Sequence, residues 1–422
     1  MHRSRVRRMR RTPDTMAPFR IGLLGRGTVG AAFESQLAES SGRIERLTGR
    51  TPEIVGVLTR SQGDFEEILA RSELIVELIG GVDDAHRYVR RALEEGRHVV
   101  TANKQLLSRH GEELWALADE RGVQLGFEAA VAGVVPVIRV LRESLAGARI
   151  ERIHGIVNGT TNFILSEMTR TGRSYEQALD AARALGYAEA DPTDDVGGAD
   201  AAAKMAILAR LAFDTPVHID DVVYDGITQV TGTDIAYAQE LGLSLKLIGT
   251  AERLAEGISV RVHPTFINSD HPLASVNGSF NAVTVESEAI TEITMSGPGA
   301  GGSPTASAVL GDVVAAIAGW ASPSPPLERL AIVENVVEAF YVHMEVDDRP
   351  GVLAQIASLL GDAGASIKSV VQRGTGERAQ LIMVTHPLER SRLEGALAAI
   401  ARLEAVRSAP RVISVIDEEF AP

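Results

Sequence analysis

Cysteine is absent from all 422 residues. That excludes disulfides, thiolate nucleophiles and cysteine-ligated zinc or iron–sulfur centres, and it suits a reducing, cytoplasmic setting. Excess positive charge is lacking: 56 acidic residues outnumber 42 lysines and arginines, a formal net charge of −14, which argues against non-specific nucleic-acid binding. No stretch approaches about eighteen uninterrupted apolar residues, so no membrane span is expected. Six arginines crowd the first eleven positions, at Arg3, Arg5, Arg7, Arg8, Arg10 and Arg11. Residues 1–17 read as a dispensable, disordered basic tail without the apolar core of a secretory signal, and Met16 is an equally natural start. The whole chain is 45% hydrophobic and 23% charged, a globular composition with length for two or three domains.

What is present begins with a strand, Phe19 to Leu24, followed at once by Gly25-Arg26-Gly27-Thr28-Val29-Gly30 and a helical stretch. A GxGxxG turn between strand and helix points to dinucleotide binding. Gly25 permits the tight turn, Gly27 lets a pyrophosphate approach the backbone, and Gly30 lets helix pack closely on strand. The second strand, Glu53 to Leu58, leads into Thr59 and Arg60 where an NAD enzyme carries an acid. Arg60 suits a 2′-phosphate and so favours NADP; Asp64 nearby leaves NAD open. Alternating strands and helices follow, with strands at Leu74–Ile79, Val99–Val100 and Gln124–Phe127 and helices at Asp83–Glu95 and Ser108–Arg121, a parallel-sheet pattern. Lys104, in TANK, falls where loops at the carboxyl ends of parallel strands meet ligands. Glu128 opens EAAVAGVVP, a loop whose carbonyls and single carboxylate suit a monovalent or hard cation. A helix is expected from Val137 to Leu145.

The chemistry concentrates in Gly186 to Lys204, GYAEADPTDDVGGADAAAK. Pro192 and Gly197-Gly198 keep its first part out of a long helix. From Asp200 onward it reads as a buried helix. Asp200 and Lys204 are four apart and share a face, which sets a cation behind a loop of carboxylates. Upstream, Asn158-Gly159-Thr160-Thr161-Asn162 reads as a loop between a strand and a helix at Phe163–Thr169; Asn158 and Thr160 either bind a polar ligand or serve an Asn-Gly turn. Ser174 caps a further helix. Strands are expected at Arg261–Phe266 and Asn281–Glu286, while residues 242–257 stay undecided between helix and strand. A glycine loop, Gly297 to Gly302, precedes a helix from Pro304 to about Ala318, and SPSPP at 322–326 breaks the chain. The last eighty or so residues read as βαββαβ, ending in a strand from Val412 to Asp417. Such a unit has edges that pairing with another copy would manage.

Taken together, GLLGRGTVG, VVTANK, FEAAVAG, GIVNGTTNFIL, GYAEADPTDD with Asp200 and Lys204, and GPGAGGSPTASAV resemble the homoserine dehydrogenase family, in its monofunctional form with a C-terminal amino-acid-binding ACT domain. The resemblance covers nearly everything from Phe19 onward. It implies an α/β chain: a Rossmann-type domain at 18–150 completed by 304–330, an α+β substrate and dimerisation domain at 151–303, and a ferredoxin-like ACT domain at 340–422. It implies reversible NAD(P)H-dependent reduction of L-aspartate 4-semialdehyde to L-homoserine, in threonine, methionine and isoleucine biosynthesis.

By the same resemblance, Lys204 is the catalytic lysine, Asp200 the acid beside it, and Lys104 the lysine between cofactor and substrate. Glu189 holds the substrate amino group and Asp194 is another acid of that site. Thr28 and Val29 contact the cofactor phosphates, and Gly301 joins the cofactor set. Glu128 with the carbonyls of Val131, Gly133 and Val135 forms a sodium site, although Val134 stands where the family often has glycine. Threonine is the implied effector of the ACT domain, and a homodimer or homotetramer the implied assembly, with no nucleic-acid or membrane partner. The rival readings are another NAD(P)-dependent oxidoreductase of amino-acid-like substrates and a catalytically silent amino-acid sensor.

Overall fold

The computed structural model describes residues 17–320, 327–374 and 378–416. The basic tail, the SPSPP break and Asp417 lie outside the described residues. The chain divides into two compact units. One holds the amino-terminal part to Ala129, apart from Leu107–Arg109, together with Gly301–Pro323; the other holds nearly all the rest.

The first unit begins as β1 (Phe19–Leu24), α1 (Thr28–Thr48), β2 (Pro52–Leu58), α2 (Phe65–Arg71) and β3 (Leu74–Glu77). It continues with α3 (Asp83–Glu94), β4 (His98–Thr101), α4 (Lys104–Arg121) and β5 (Leu125–Gly126). The five strands form a parallel sheet in the order β2-β1-β3-β4-β5. The order reverses between β1 and β3, the place where open parallel sheets bind ligands. Helix α4 starts four residues earlier than the expected Ser108, because the Asn103 side chain accepts the Leu106 N–H at 3.0 Å and caps it.

The second unit opens with α5 (Val137–Arg139), which runs into a π turn at Val140–Ser144 instead of continuing as α-helix to Leu145. Then come β6 (Arg152–Ile156), α6 (Gly159–Thr171), α7 (Tyr175–Ala184), α8 (Thr193–Val196) and α9 (Ala199–Phe213). Next are β7 (Val223–Tyr224), α10 (Gly232–Glu240), β8 (Leu243–Leu254), β9 (Gly257–Asn268), β10 (Phe280–Ser287) and β11 (Thr291–Pro298). Residues 242–257 thus resolve as strand, with β8 and β9 a long antiparallel pair. The segment expected as a loop at 158–162 is mostly helix: Asn158 caps α6 by accepting the Thr161 N–H at 2.8 Å, which disposes of the Asn-Gly hairpin. Helix α7 starts with a full capping box at Ser174 and Gln177. Helix α9 is alanine-rich and almost wholly buried, lying against β8 and β9. Helix α11 (Gly302–Ala318) belongs to the first unit, where Ala306, Val309 and Val313 pack with Phe33 and Leu37 of α1.

The ACT-type segment contains β12 (Val337–Val346), α12 (Val352–Asp362), β13 (Ile367–Arg373), β14 (Ala379–Thr385), β15 (Leu388–Glu389), α13 (Arg390–Ile400) and β16 (Arg411–Ile416). Alternation along β12 decides its two faces. Phe340, Val342, Met344 and Val346 join the core under α12 and α13, while Tyr341 and His343 turn to the opposite side, where Tyr341 meets Phe266 at 4.9 Å between ring centroids. One edge of this segment is used within the chain: β16 pairs in parallel with β9. A single eleven-stranded sheet therefore runs β11-β10-β6-β8-β9-β16-β12-β14-β13, with β7 on β9 and β15 on β12.

Candidate active site

Helix α9 delivers Lys204 one turn after Asp200, both largely buried. The Lys204 ammonium donates to Asp200 Oδ2 at 2.6 Å and to the Val157 carbonyl at 2.7 Å. An ammonium has three donors, so one is left for a ligand atom. The same Val157 carbonyl accepts from Asn281 Nδ2 at 3.2 Å.

Asn158 ties the carboxylates together. Its Nδ2 reaches Asp195 Oδ1 at 2.7 Å and Asp200 Oδ2 at 2.9 Å, while its Oδ1 caps α6. Thr160 Oγ1 lies 2.7 Å from the Tyr187 carbonyl and 3.1 Å from Asp195 Oδ2. Burial raises the Asp195 carboxyl above its usual range, and the Asp200 charge beside it adds to the effect. Of the expected residues, Lys204, Asp200, Asn158 and Thr160 thus converge on one hydrogen-bonded cluster. Glu189 and Asp194 are exposed on the segment leading into it.

Two members were not singled out from the sequence. Asp195 was one acid among several until its partners became visible. Asn281 is fully buried with its Oδ1 lacking a hydrogen-bond partner among the described residues, and a methyl on Gly299 would overlap that amide. Nothing in the local pattern of β10 marks it.

In the first unit, the turn after β1 is shaped for an anion. Gly25 adopts φ 95° against the Leu78 carbonyl, and a methyl on Gly30 would collide with the Gly25 carbonyl oxygen. No atom stands within 4 Å of where a Cβ on Gly27 would be. The N–H groups of Thr28, Val29 and Gly30, in the first turn of α1, have no intrahelical acceptor and face a helix start that favours phosphate. Gly25, Gly27, Thr59, Arg60 and Asp84 line a cavity of about 800 Å³, with Arg60 exposed. The donor set and the open approach fit a dinucleotide.

Lys104 stands at the first position of α4, directly after an unforeseen network that ends in the helix cap Asn103. Glu77, fully buried at the end of β3, accepts from Thr101 Oγ1 at 2.5 Å and the Ile79 N–H at 2.8 Å. Burial pushes its carboxyl upward. Thr101 Oγ1 accepts the Asn103 N–H at 3.0 Å, and Asn103 Nδ2 donates to the Gly81 carbonyl at 2.6 Å. Gly301 precedes α11 at φ 128°.

Glu128 is buried in the first unit, its backbone N–H donating to Asp312 at 2.8 Å. In the second unit, Ala132 and Gly133 both take positive φ, 57° and 64°, which curls the backbone of Val131 to Val135. Val134 packs toward Gly297.

Residues 136–314 match the family model described as homoserine dehydrogenase, residues 25–128 its NAD binding domain, and residues 341–405 the ACT domain. The chain belongs to the homoserine dehydrogenase family. A homoserine dehydrogenase of Pseudomonas aeruginosa is 41% identical over 421 residues, covering 93% of this chain and 97% of that protein. One from Corynebacterium glutamicum is 44% identical, covering 87% and 88%. The crystal structure of a homoserine dehydrogenase from Thiobacillus denitrificans superposes with a TM-score of 0.91 at 38% identity, covering 96% and 99%. A hyperthermophilic archaeal homoserine dehydrogenase in complex with NADPH matches with a TM-score of 0.63 at 28% identity, over 74% of this chain and all of that one. The chain is accordingly an NAD(P)-dependent oxidoreductase with a Rossmann domain, an α+β catalytic domain and a ferredoxin-like ACT domain. Among the described residues, no helix is long and apolar enough to cross a membrane.

Proposed function

We propose that the chain interconverts L-aspartate 4-semialdehyde and L-homoserine, with Lys204 as the catalytic residue that meets the substrate oxygen. The observation that carries this reading is the Lys204 ammonium, anchored by Asp200 and the Val157 carbonyl with one donor unspent. Bound NAD(P)H supplies the hydride to the aldehyde carbon. As negative charge grows on the aldehyde oxygen, Lys204 stabilises it and delivers the proton that completes the alcohol. Asp200 aims the amine through its hydrogen bond. Asn158 and Thr160 position the carboxylates, and the exposed acids Glu189 and Asp194 suit the substrate's α-ammonium. Lys104, at the start of α4, serves as a second cation on the cofactor side.

The NAD(P) contacts in this reading are Gly25, Gly27, Thr28, Val29, Gly30, Arg60 and Gly301, with Arg60 favouring the 2′-phosphate of NADP. A sodium ion held by Glu128 and the carbonyls of Val131, Gly133 and Val135 is part of this reading on the family resemblance. Threonine feedback is assigned to the Asp347–Gly351 turn, which borders a cavity of about 370 Å³ with Gln372 and is braced by Arg407 on Asp347 at 2.6 and 2.8 Å. A homodimer or homotetramer is the proposed assembly, with β11 and β13 as the end strands of the long sheet.

Lys204→Ala is expected to lower kcat about a hundredfold or more while NADPH affinity, read by fluorescence titration, stays near wild type. Near-normal turnover would end the assignment. Arg60→Ala is expected to weaken NADPH use by roughly tenfold or more through loss of a charged hydrogen bond, with NADH use little changed. Equal losses would remove the argument for NADP.

A further inference from the structure

The long sheet splits where the ACT-type segment joins the catalytic body. Strands β9 and β16 pair from Thr265 and Ser414 to Ile267 and Ile416. Before Ser414, the residues Arg411, Val412 and Ile413 keep their pairing to β12 but have no partner strand on the β9 side. There β9 pairs instead with β7, at Arg261 and Val262. The gap is a cavity of about 340 Å³ whose polar lining includes Asp225, Gln229, His263, Arg390, Arg411 and Ser414.

The lining has both signs of charge: Arg411 is paired with Asp234, whereas Arg390 and Asp225 form no ion pair with each other. Arg390 makes its bonds to Glu338 (3.1 Å) and Ser414 (2.9 Å) through Nη2 alone. Arg411 uses Nη1 on Thr231 and Nη2 on the buried Asp234, which also faces His343. A guanidinium carries five donors, so both arginines keep some in reserve. Opposite them stands Asp225, its side chain 73% exposed and 3.3 Å from His263 Nδ1. That ring nitrogen is buried and makes no hydrogen bond of good geometry among the described residues. The size sits at the small end of ligand cavities. Separated cation and anion, beside strand backbone with an unpaired side, fit a carboxylate and an ammonium carried on one carbon.

The wall of this cavity is also a wall of the catalytic cluster. Ile227 N–H donates to the Val196 carbonyl at 2.9 Å. A methyl on Gly226 would collide with that same carbonyl and with Gly197, and the Asp225 carbonyl abuts Gly198. Val196 follows Asp195, and Gly198 is the residue from which α9 starts. Asp225 and Gly226 therefore have the cavity on one side and the segment leading to Asp200 and Lys204 on the other.

We propose that this cavity binds a small α-amino acid, separately from the Asp347–Gly351 turn, and that occupancy moves the Asp225–Ile227 loop and with it the start of α9. Only the second half of this proposal rests on the catalytic reading of Lys204 and Asp200. The test uses the full chain, with each proteinogenic L-amino acid added singly at millimolar concentration. Thermal shift and calorimetry are read for the wild type, Gln229→Trp, Arg390→Gln and, as the comparison for the other cavity, Asp348→Ala.

At least one amino acid is expected to raise the wild-type unfolding midpoint. Its affinity should fall on the order of tenfold to a hundredfold in Gln229→Trp and in Arg390→Gln and hold in Asp348→Ala. No binding by any amino acid, binding unchanged in Gln229→Trp, or binding lost only in Asp348→Ala would each overturn the site. For coupling, the ratio of turnover with and without that amino acid should differ from one in the wild type and return to one in Gln229→Trp. A ratio of one throughout would overturn the coupling. The binding readouts do not depend on turnover, so they stand even if Lys204→Ala retains activity.

Discussion

The turn after β1 and the cluster around Lys204 bind charge by opposite means. The turn uses backbone: three glycines and a helix start. The cluster uses side chains from β10 and from the segments beginning α6, α8 and α9, with one amide, Asn158, set between two carboxylates. Backbone donors are fixed by chain geometry and need only the absence of a Cβ. Side-chain donors must be assembled and desolvated, so every member depends on its neighbours. Damage should therefore be local and steric at the turn, and cooperative at the cluster.

The largest effect that sharpens this contrast is expected at Gly30. In Gly30→Ala the methyl meets the Gly25 carbonyl, and overpacking of this kind costs about 1–3 kcal/mol. The turn must open, so NAD(P)H affinity and the unfolding midpoint should fall together. Gly27→Ala meets no protein atom. Its midpoint should hold while dinucleotide affinity falls, because the added methyl occupies space that a pyrophosphate needs. Calorimetric titration and thermal unfolding of the two variants decide it. A Gly27→Ala chain that binds as wild type would mean the phosphates do not approach there.

Asn158 comes next, with two functions to separate. Asn158→Ala removes both the cap on α6, worth about 1 kcal/mol, and the donor shared by Asp195 and Asp200. Asn158→Asp restores the cap but places a third carboxylate against the other two. Turnover is expected to fall about tenfold in the alanine variant, as for loss of a hydrogen bond to a charged group, and further in the aspartate variant, although aspartate is the better cap. If aspartate instead rescues turnover, Asn158 acts through the helix and not through the carboxylates.

The same contrast explains what could be read in advance. The glycine turn, the parallel sheet and the ACT-type segment announce themselves through spacing and alternation, which are local. Lys204 and Asp200 are legible as a pair because four residues set them on one helix face. Asn158 was visible only as a choice between ligand and turn. The structure shows a third use: its Oδ1 caps α6 while its Nδ2 donates to Asp195 and Asp200. Asn281, Glu77 and the partnership of Asp195 with Asn158 are tertiary facts: each is an ordinary polar residue until the chain folds over it. The pairing of β16 with β9 was equally hidden, because parallel pairing between strands nearly 150 residues apart leaves no local mark. Pairing with another copy was one way to manage the edges of this segment; within the chain β16 is covered by β9, and β13 stays an end strand.

The smallest expected effect lies at Asp195, and its sign can be derived. An unfolded Asp195 ionises near 3.8, whereas burial and the Asp200 charge raise the folded value above that. Between the two values the folded chain keeps a proton that the unfolded chain has lost, so stability declines as pH rises through this window. Above it, the full cost of holding the carboxylate charged is present. Asp195→Asn keeps an oxygen facing the Asn158 amide yet cannot ionise. The variant should unfold at a higher temperature than wild type near neutral pH. The gap should narrow as pH falls through the window and close below the unfolded value, while turnover drops only severalfold, the range expected when a neutral hydrogen bond replaces a charged one. Thermal unfolding across an acid-to-neutral series measures this directly. A lower midpoint at neutral pH would mean that the charge on Asp195 holds the cluster together, through Lys204, more strongly than burial opposes it.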